Sequence, residues 1–550
     1  MQLTYLDWFV VLLYLISTIA IGLWVGAYVK TGRDFFLAGR SLPWWAIGFS
    51  LVATDIGGTD LIGVGGGAYR YGMAIGSFEW IGCVPAMIVA AFIFIPHFWR
   101  CQITTIPEFM ERRFNVELRT ALAFCWLLFM ACNLGVMLLA SAKMMQTLAG
   151  WDPVYSILVT AALVGVYTFA GGLAAVVYTD VLQGVVMIGG CAMVVVIGIA
   201  EVGGVEAFRQ KVHEAVQARE KNSEANAAAL AEDPEFTPDA AAELRRLPTP
   251  DPVNPAPESD HWSLVLPADT NSPFPWPGIL FGLAFIISPA YWIGNQCIVQ
   301  RGFGARTEYD ASAAYVFGAL IKNLIPLIIV IPGLLALAQF PFINDTDQAL
   351  PRIIGELLPA GLRGLFLAAF LAALMSSVDS YVNSAAAIVT NDFYQRFLRP
   401  QADQRQILFV GRFTTIALII WGVFFAWILM EDTTSIYTLF QTMISFFSGP
   451  AFAMLLCGVL SRRINGGGAF VGFLAGVAMA VSLHVLNQPL VAEKLALRPM
   501  FQIQEPFLYY SIWGFLTSLA VAFLVSPFTR PDSAERLKYV LSFRRGEGLP

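Results

Sequence analysis

Long apolar runs recur along the chain, most of about twenty residues or more, divided by short polar stretches. A helix needs about 20 apolar residues to cross the hydrocarbon of a bilayer. Runs at roughly 6–27, 44–70, 76–99, 118–148, 154–172, 180–200, 274–298, 310–339, 361–395, 407–430, 434–460, 468–487 and 507–527 predict about thirteen transmembrane helices. They are continuous and not alternating, which excludes a transmembrane β-barrel. The fold class expected is an all-α polytopic membrane protein. One stretch breaks the pattern: residues 201–273 are polar, acidic and proline-rich, with a helix expected around 205–219. They read as an extracytoplasmic loop, partly disordered and serving as a spacer.

Two of the apolar runs are interrupted. The second holds Asp55 and Asp60 on either side of the Gly57-Gly58 pair. Carboxylates and unpaired backbone groups are costly in hydrocarbon. A glycine pair lets a helix open and turn carbonyl oxygens inward, which is tolerated only where the break is buried in protein or lines a cavity. The seventh run contains Ser288-Pro289-Ala290-Tyr291-Trp292, where proline removes a backbone donor and favours a second break. Five spans separate one interrupted run from the other, the arrangement of an inverted repeat of five helices. The organisation expected is a peripheral first helix and inner loop over 1–43, a first repeat over 44–200, the loop 201–273, a second repeat over 274–465, and two peripheral helices with a tail over 466–550.

Composition agrees: 57% of residues are hydrophobic, 13% are charged, and mean hydropathy is +0.66. The net charge of −6 gives no reason to expect nucleic acid. Basic residues gather in alternate loops, among them Lys30, Arg33, Arg40, Arg100, Arg112, Arg113, Arg301, Arg306, Arg396, Arg462 and Arg463, and again in the tail. The positive-inside rule places these in the cytoplasm, the amino terminus outside and the carboxyl terminus inside, in the plasma (cell inner) membrane. Seven cysteines in or beside spans imply no disulfide framework. The run Gly63-Val64-Gly65-Gly66-Gly67-Ala68 matches a dinucleotide fingerprint but lacks the strand that motif requires. No catalytic constellation is found, so no enzyme and no enzyme cofactor are expected.

The polar residues inside the spans suit a hard cation, which takes oxygen ligands. Ala53, Ile56 and Asp60 lie about one turn apart, and an opened helix would present the carbonyls of Ala53 and Ile56. Ala373, Ser376 and Ser377 share a face of the ninth span and would add a carbonyl and two hydroxyls; the bland alternative is that these serines pack helices. Ser376, Asp379 and Ser380 form a second face, which with Asp180 could hold another cation; Asp180 could instead be an ordinary helix-terminal acid. Glu79 and Lys322 are candidate solute ligands. The alternative for Lys322 is snorkelling to the interface, and for Glu79 a helix cap. Phe78, Tyr291 and Phe440 could line a cavity, or simply pack.

Four segments together, SLVATDI with LIGVGGGAYRYGMAIGSFEW, GGLAAVVYTDVLQG, YWIGNQCIVQR and SSVDSYVNSAAAIVTNDFYQRF, resemble the sodium/solute symporter family and its sodium/glucose cotransporter branch. The resemblance covers about residues 5–465. It implies a five-plus-five inverted-repeat fold with broken helices, working by alternating access as a sodium-coupled secondary active symporter. Residue by residue, it implies a sodium site at Ala53, Ile56, Ala373, Ser376 and Ser377, and a second at Asp180, Ser376 and Ser380. It implies solute contacts at Asp60, Phe78, Glu79, Ser288, Tyr291, Lys322, Phe440 and Gln441. The chain departs from the sugar carriers at Asp60, where they have glutamine, and at Ser288, where they have asparagine. Asp379 stands in the second site where serine is usual, and Asp55 resembles the acid of the proline carriers. The expected solute is a sugar or polyol, with an amino acid or carboxylate as the alternative. A membrane sensor built on the same fold is the rival from another class. The expected partners are sodium as coupling ion, a small solute and the lipid bilayer.

Overall fold

A computed structural model of the chain describes residues 3–231, 261–270, 272–431, 436–488, 491, 494, 501 and 506–541. The described residues form an all-α bundle with no strand beyond two isolated bridges. The helices used below are numbered α1 (Tyr5–Gly26), α2 (Trp44–Asp55), α3 (Gly58–Tyr71), α4 (Phe78–Arg100), α5 (Val116–Ala149), α6 (Pro153–Val202), α7 (Val205–Ala231), α8 (Gly278–Gly294), α9 (Gln296–Phe303), α10 (Glu308–Gln339), α11 (Leu362–Leu398), α12 (Gln404–Ile428), α13 (Ile436–Leu460), α14 (Gly466–Asn487) and α15 (Phe507–Phe528). Among the described residues ten helices are long and apolar enough to span a bilayer, and two bent pairs add two more. The remaining predicted span is the shorter apolar stretch Pro153–Val166. It continues into the next span as α6, with a sharp turn at Gly172 (φ 56°, ψ −165°). A Cβ there would come within 2.6 Å of the Phe35 carbonyl oxygen, so both the backbone angle and the close approach call for glycine.

The two bent pairs are α2 with α3, at 55°, and α8 with α9, at 50°. They open the two halves of a five-plus-five inverted-repeat core. The first break falls at Ile56-Gly57, as the glycine pair predicts. The second does not fall at Pro289. It comes six residues later, at Asn295, whose backbone is extended. Wide π turns run over Gly278–Ile287 and pass without a break into the α turn that holds Pro289, so the altered hydrogen-bond pattern ahead of the ring accommodates its missing N–H. Asn295 then caps α9 by accepting a hydrogen bond from the Cys297 N–H at 3.2 Å.

Helix α11 is central and almost wholly buried over its most apolar stretch, whereas α1 and α14 leave most of theirs on the outside of the bundle. Small residues explain the position of α11: its Ala, Ser and Gly positions let α6 and α2 approach closely. Peripheral α1 is still anchored, because buried Asp7 accepts N–H bonds from Gly361 at 2.7 Å and Gly364 at 2.8 Å. The seven cysteines are all free thiols.

The described parts of the segment 201–273 pack against the bundle. Helix α7 packs against α10, and Arg219 donates to the carbonyls of Pro341 at 2.7 Å and Tyr69 at 3.1 Å while lying over the Tyr69 ring. The Met73 N–H bonds the His261 carbonyl at 2.7 Å. Both ends of the segment therefore grip the end of α3. The proline-rich stretch 232–260 lies outside the described residues.

Candidate functional site

The break between α2 and α3 frees a row of backbone oxygens. In an unbroken helix the Ala53 carbonyl would accept from the Gly57 N–H and the Ile56 carbonyl from the Asp60 N–H. Here the Gly57 N–H goes to the Asp60 carboxylate at 2.9 Å, and the Asp60 N–H goes to the Gly57 carbonyl at 3.1 Å. Asp60 thus caps α3 and holds the break open. Across the gap stands α11. The Ser377 hydroxyl donates to the Thr54 carbonyl at 2.9 Å, and a Cβ on Gly57 would lie 2.6 Å from that hydroxyl. Glycine is needed at 57 because α11 comes this close. Buried Ala373 and Ser376 lie on α11 one turn before Ser377 and beside it. This donor set of released carbonyls facing hydroxyls has the oxygen chemistry a sodium ion takes.

On the next face of the break lies a cavity that is partly open to solvent. Of the residues expected to contact solute, Asp60, Phe78, Glu79, Ser288, Tyr291, Phe440 and Gln441 all line it. Phe78 packs edge-on to Tyr437 and Phe274 with centroids 5.6 and 5.9 Å apart, closing one end. At another part of the lining, the hydroxyls of Tyr291 and Tyr381 meet at 3.5 Å. Lys322 is not a lining residue. Its side chain is wholly buried behind the cavity, in ion-pair contact with both Asp55 and Glu79, its ammonium 5.8 Å from the centre of the Trp292 ring. Snorkelling is thereby replaced by a charge clamp between α2, α4 and α10. Asp55, Glu79 and Cys83 converge within 4.8 Å, a spacing a metal ion would accept, but the Lys322 ammonium already supplies the positive charge there. Glu79 sits in a wide π turn, Phe78–Cys83, which re-aims its side chain.

The set Asp180, Asp379 and Ser380 is found beside a different cation. Arg301 is buried with its guanidinium 3.3 Å from Asp180. Its Nε donates to the Ser50 hydroxyl at 2.5 Å, and its other nitrogens to the hydroxyls of Thr54 and Ser380 and to the Cys297 carbonyl. Ser376 donates to the other Asp180 oxygen at 2.5 Å. Asp379, wholly buried, accepts from the Ser380 hydroxyl at 3.1 Å. The sequence counts Arg301 among cytoplasmic loop charges. It is instead part of α9, the far half of the second broken helix, and points into the bundle. Arg113 is likewise buried, paired with Asp532 at 2.6 Å.

The model of the sodium:solute symporter family matches residues 35–476. The chain belongs to the sodium:solute symporter family. It is 31% identical to the human sodium/myo-inositol cotransporter 2 over 98% of this chain and 78% of that protein. It is 30% identical to the Vibrio parahaemolyticus sodium/glucose cotransporter over 90% of this chain and 88% of that one. Its fold matches the substrate-bound outward-open state of a Na+-coupled sialic acid symporter, with a TM-score of 0.75, 21% identity, and coverage of 96% and 99% of the two chains. Members of this family are sodium-coupled transporters and not enzymes.

Within this symporter, three features of the site escape sequence reasoning. Asp55, which the resemblance likens to the acid of the proline carriers, is the ion-pair partner of Lys322. Tyr437 and Trp292 join the cavity lining. Arg301 joins the Asp180 centre. The one available signal for Asp55 is that an intramembrane lysine needs an intramembrane acid.

Proposed function

We propose that this symporter uses the sodium gradient to import a small polyhydroxylated solute, a sugar or polyol, by alternating access. The observation that supports it most is the adjacency of two features at one helix break. Released carbonyls face the Ser377 hydroxyl on one side, with Ser376 next to it on α11, and the Asp60, Glu79 and Gln441 side chains line a cavity on the other. Sodium at Ala53, Ile56, Ala373, Ser376 and Ser377 would tie α2 to α11 and shape the cavity, so that ion and solute favour the same conformation. The relatives' solutes, myo-inositol and glucose, support the polyol class. The alternation of basic loops supports an amino terminus outside, a cytoplasmic carboxyl terminus and residence in the cell's inner membrane.

The test is thermal stability of the purified protein in sodium or potassium, across sugars, polyols, amino acids and carboxylates. A ligand that binds the native state raises apparent stability by mass action. Stabilisation by a sugar or polyol in sodium alone is the expected result. Stabilisation by an amino acid or carboxylate instead would move the solute class, and indifference to sodium would remove the coupling ion.

A further inference from the structure

The charges around the cavity do not balance. Three carboxylates, Asp55, Asp60 and Glu79, line it, and one ammonium, Lys322, stands behind it. Lys322 is committed, wholly buried between Asp55 and Glu79. Asp60 forms no ion pair with any described residue. One of its oxygens takes the Gly57 N–H at 2.9 Å, and no described residue donates to the other. A carboxylate withdrawn from bulk water needs a positive partner. One sodium ion at the carbonyls of the α2 break would offset a second carboxylate and leave a single negative charge, on Asp60.

We propose that the solute supplies that charge: it is a sugar or polyol carrying one ammonium group, which pairs with Asp60. The assignment rests on the sugar-or-polyol reading above. Phe78 and Tyr437 line the same cavity, and ring faces attract a cation where a hydroxyl gains little. An anionic solute would meet net negative charge and be refused. Specificity for the amine follows from leaving the Asp60 charge uncompensated when a neutral solute offers it only a hydroxyl.

The experiment compares matched pairs that differ by one amine for one hydroxyl: glucose and glucosamine, galactose and galactosamine, myo-inositol and its monoamine. Binding to the full-length protein is measured in sodium by calorimetry and thermal shift. At least one amine should bind tenfold or more tightly than its neutral parent. Asp60→Asn, which keeps the size and the Gly57 bond, should bring the amine down to the level of the parent. If neutral parents bind as well as or better than every amine, Asp60 takes its positive partner elsewhere, as a proton, and the inference fails while the polyol reading stands. If Asp60→Asn leaves the preference for the amine intact, the inference fails in the same way. If no member of any pair binds in sodium, both fall together.

Discussion

Helix α2 carries two buried charged centres on two of its faces, and they are built to opposite plans. On one face Ser50 and Thr54 meet Asp180 and Arg301, whose side chains are 0% and 1% exposed. The guanidinium is surrounded by hydroxyls, a carbonyl and a carboxylate supplied by α2, α6, α9 and α11. On the other face Asp55 meets Lys322 and Glu79, and here the two carboxylates keep 11% and 18% exposure toward a cavity. The first centre brings its own cation and reaches the cavity only through Thr54. The second has more acid than base and faces open space. A buried ion pair is poor evidence of net stability. Its surroundings are more informative: the enclosed centre pins both broken helices to α6 and α11, and the open one faces the cavity proposed for the solute.

Lys322→Ala breaks this contrast most severely. It leaves Asp55 and Glu79 facing each other with no cation, and removing one member of a buried pair costs about 3–5 kcal/mol. The expected outcome is a large fall in the thermal midpoint and at least a hundredfold loss of solute affinity. Adding Asp55→Asn should restore much of the midpoint but little of the affinity, because it removes the stranded charge without rebuilding the clamp. Thermal unfolding and solute binding, measured on the single and double variants, separate the two effects. Wild-type affinity in Lys322→Ala would place the ligand elsewhere.

Arg301→Gln probes the enclosed centre and should have the next largest effect. Asp180 would lose its cation but keep the Ser50 and Ser376 hydroxyls. The expected result is a lower thermal midpoint that sodium restores more strongly than it stabilises wild type, since sodium can enter the space the guanidinium leaves. Thermal unfolding in sodium, potassium and a bulky organic cation gives the readout. An equal sodium response in variant and wild type would mean that this centre admits no ion. If the Arg301 guanidinium fills the second cation position in the wild type, uptake should rise hyperbolically with sodium.

How much of this was legible follows from what spacing along one helix can report. The broken α2–α3 pair was legible because Gly57-Gly58 between two acids makes no sense as an ordinary span. The α11 residues were legible because Ala373, Ser376, Ser377 and Ser380 fall at intervals of three and four, and helix geometry places such positions on shared faces. The position of the second break is not legible from Pro289, because the π turns that accommodate the proline leave no mark in the residue pattern. Lys322 with Asp55, and Arg301 with Asp180, were not legible as pairs. Their partners lie on other helices far along the chain, and which charges meet is decided by packing. Arg301 was the harder case, since a charge at the end of an apolar run reads as a loop residue unless the helix is known to resume beyond its break.

The smallest effect is expected where the two centres come nearest, at Ser377. Its hydroxyl bonds the Thr54 carbonyl, and Thr54 turns its own side chain toward Arg301. On the other side it touches Gly57, where the backbone that Asp60 caps begins. Ser377→Ala keeps the volume near enough to preserve α11 packing and deletes one candidate sodium ligand. Losing one of about five oxygens should raise the sodium concentration for half-maximal uptake roughly tenfold, equivalent to about 1.4 kcal/mol. Solute affinity at saturating sodium should change less, within about threefold, because Ser377 is one of many residues lining the cavity but one of few oxygens for the ion. Uptake assayed over a grid of sodium and solute concentrations distinguishes the two constants. A shift in solute affinity alone would join Ser377 to the open centre, and no shift in either would leave it a packing serine between them.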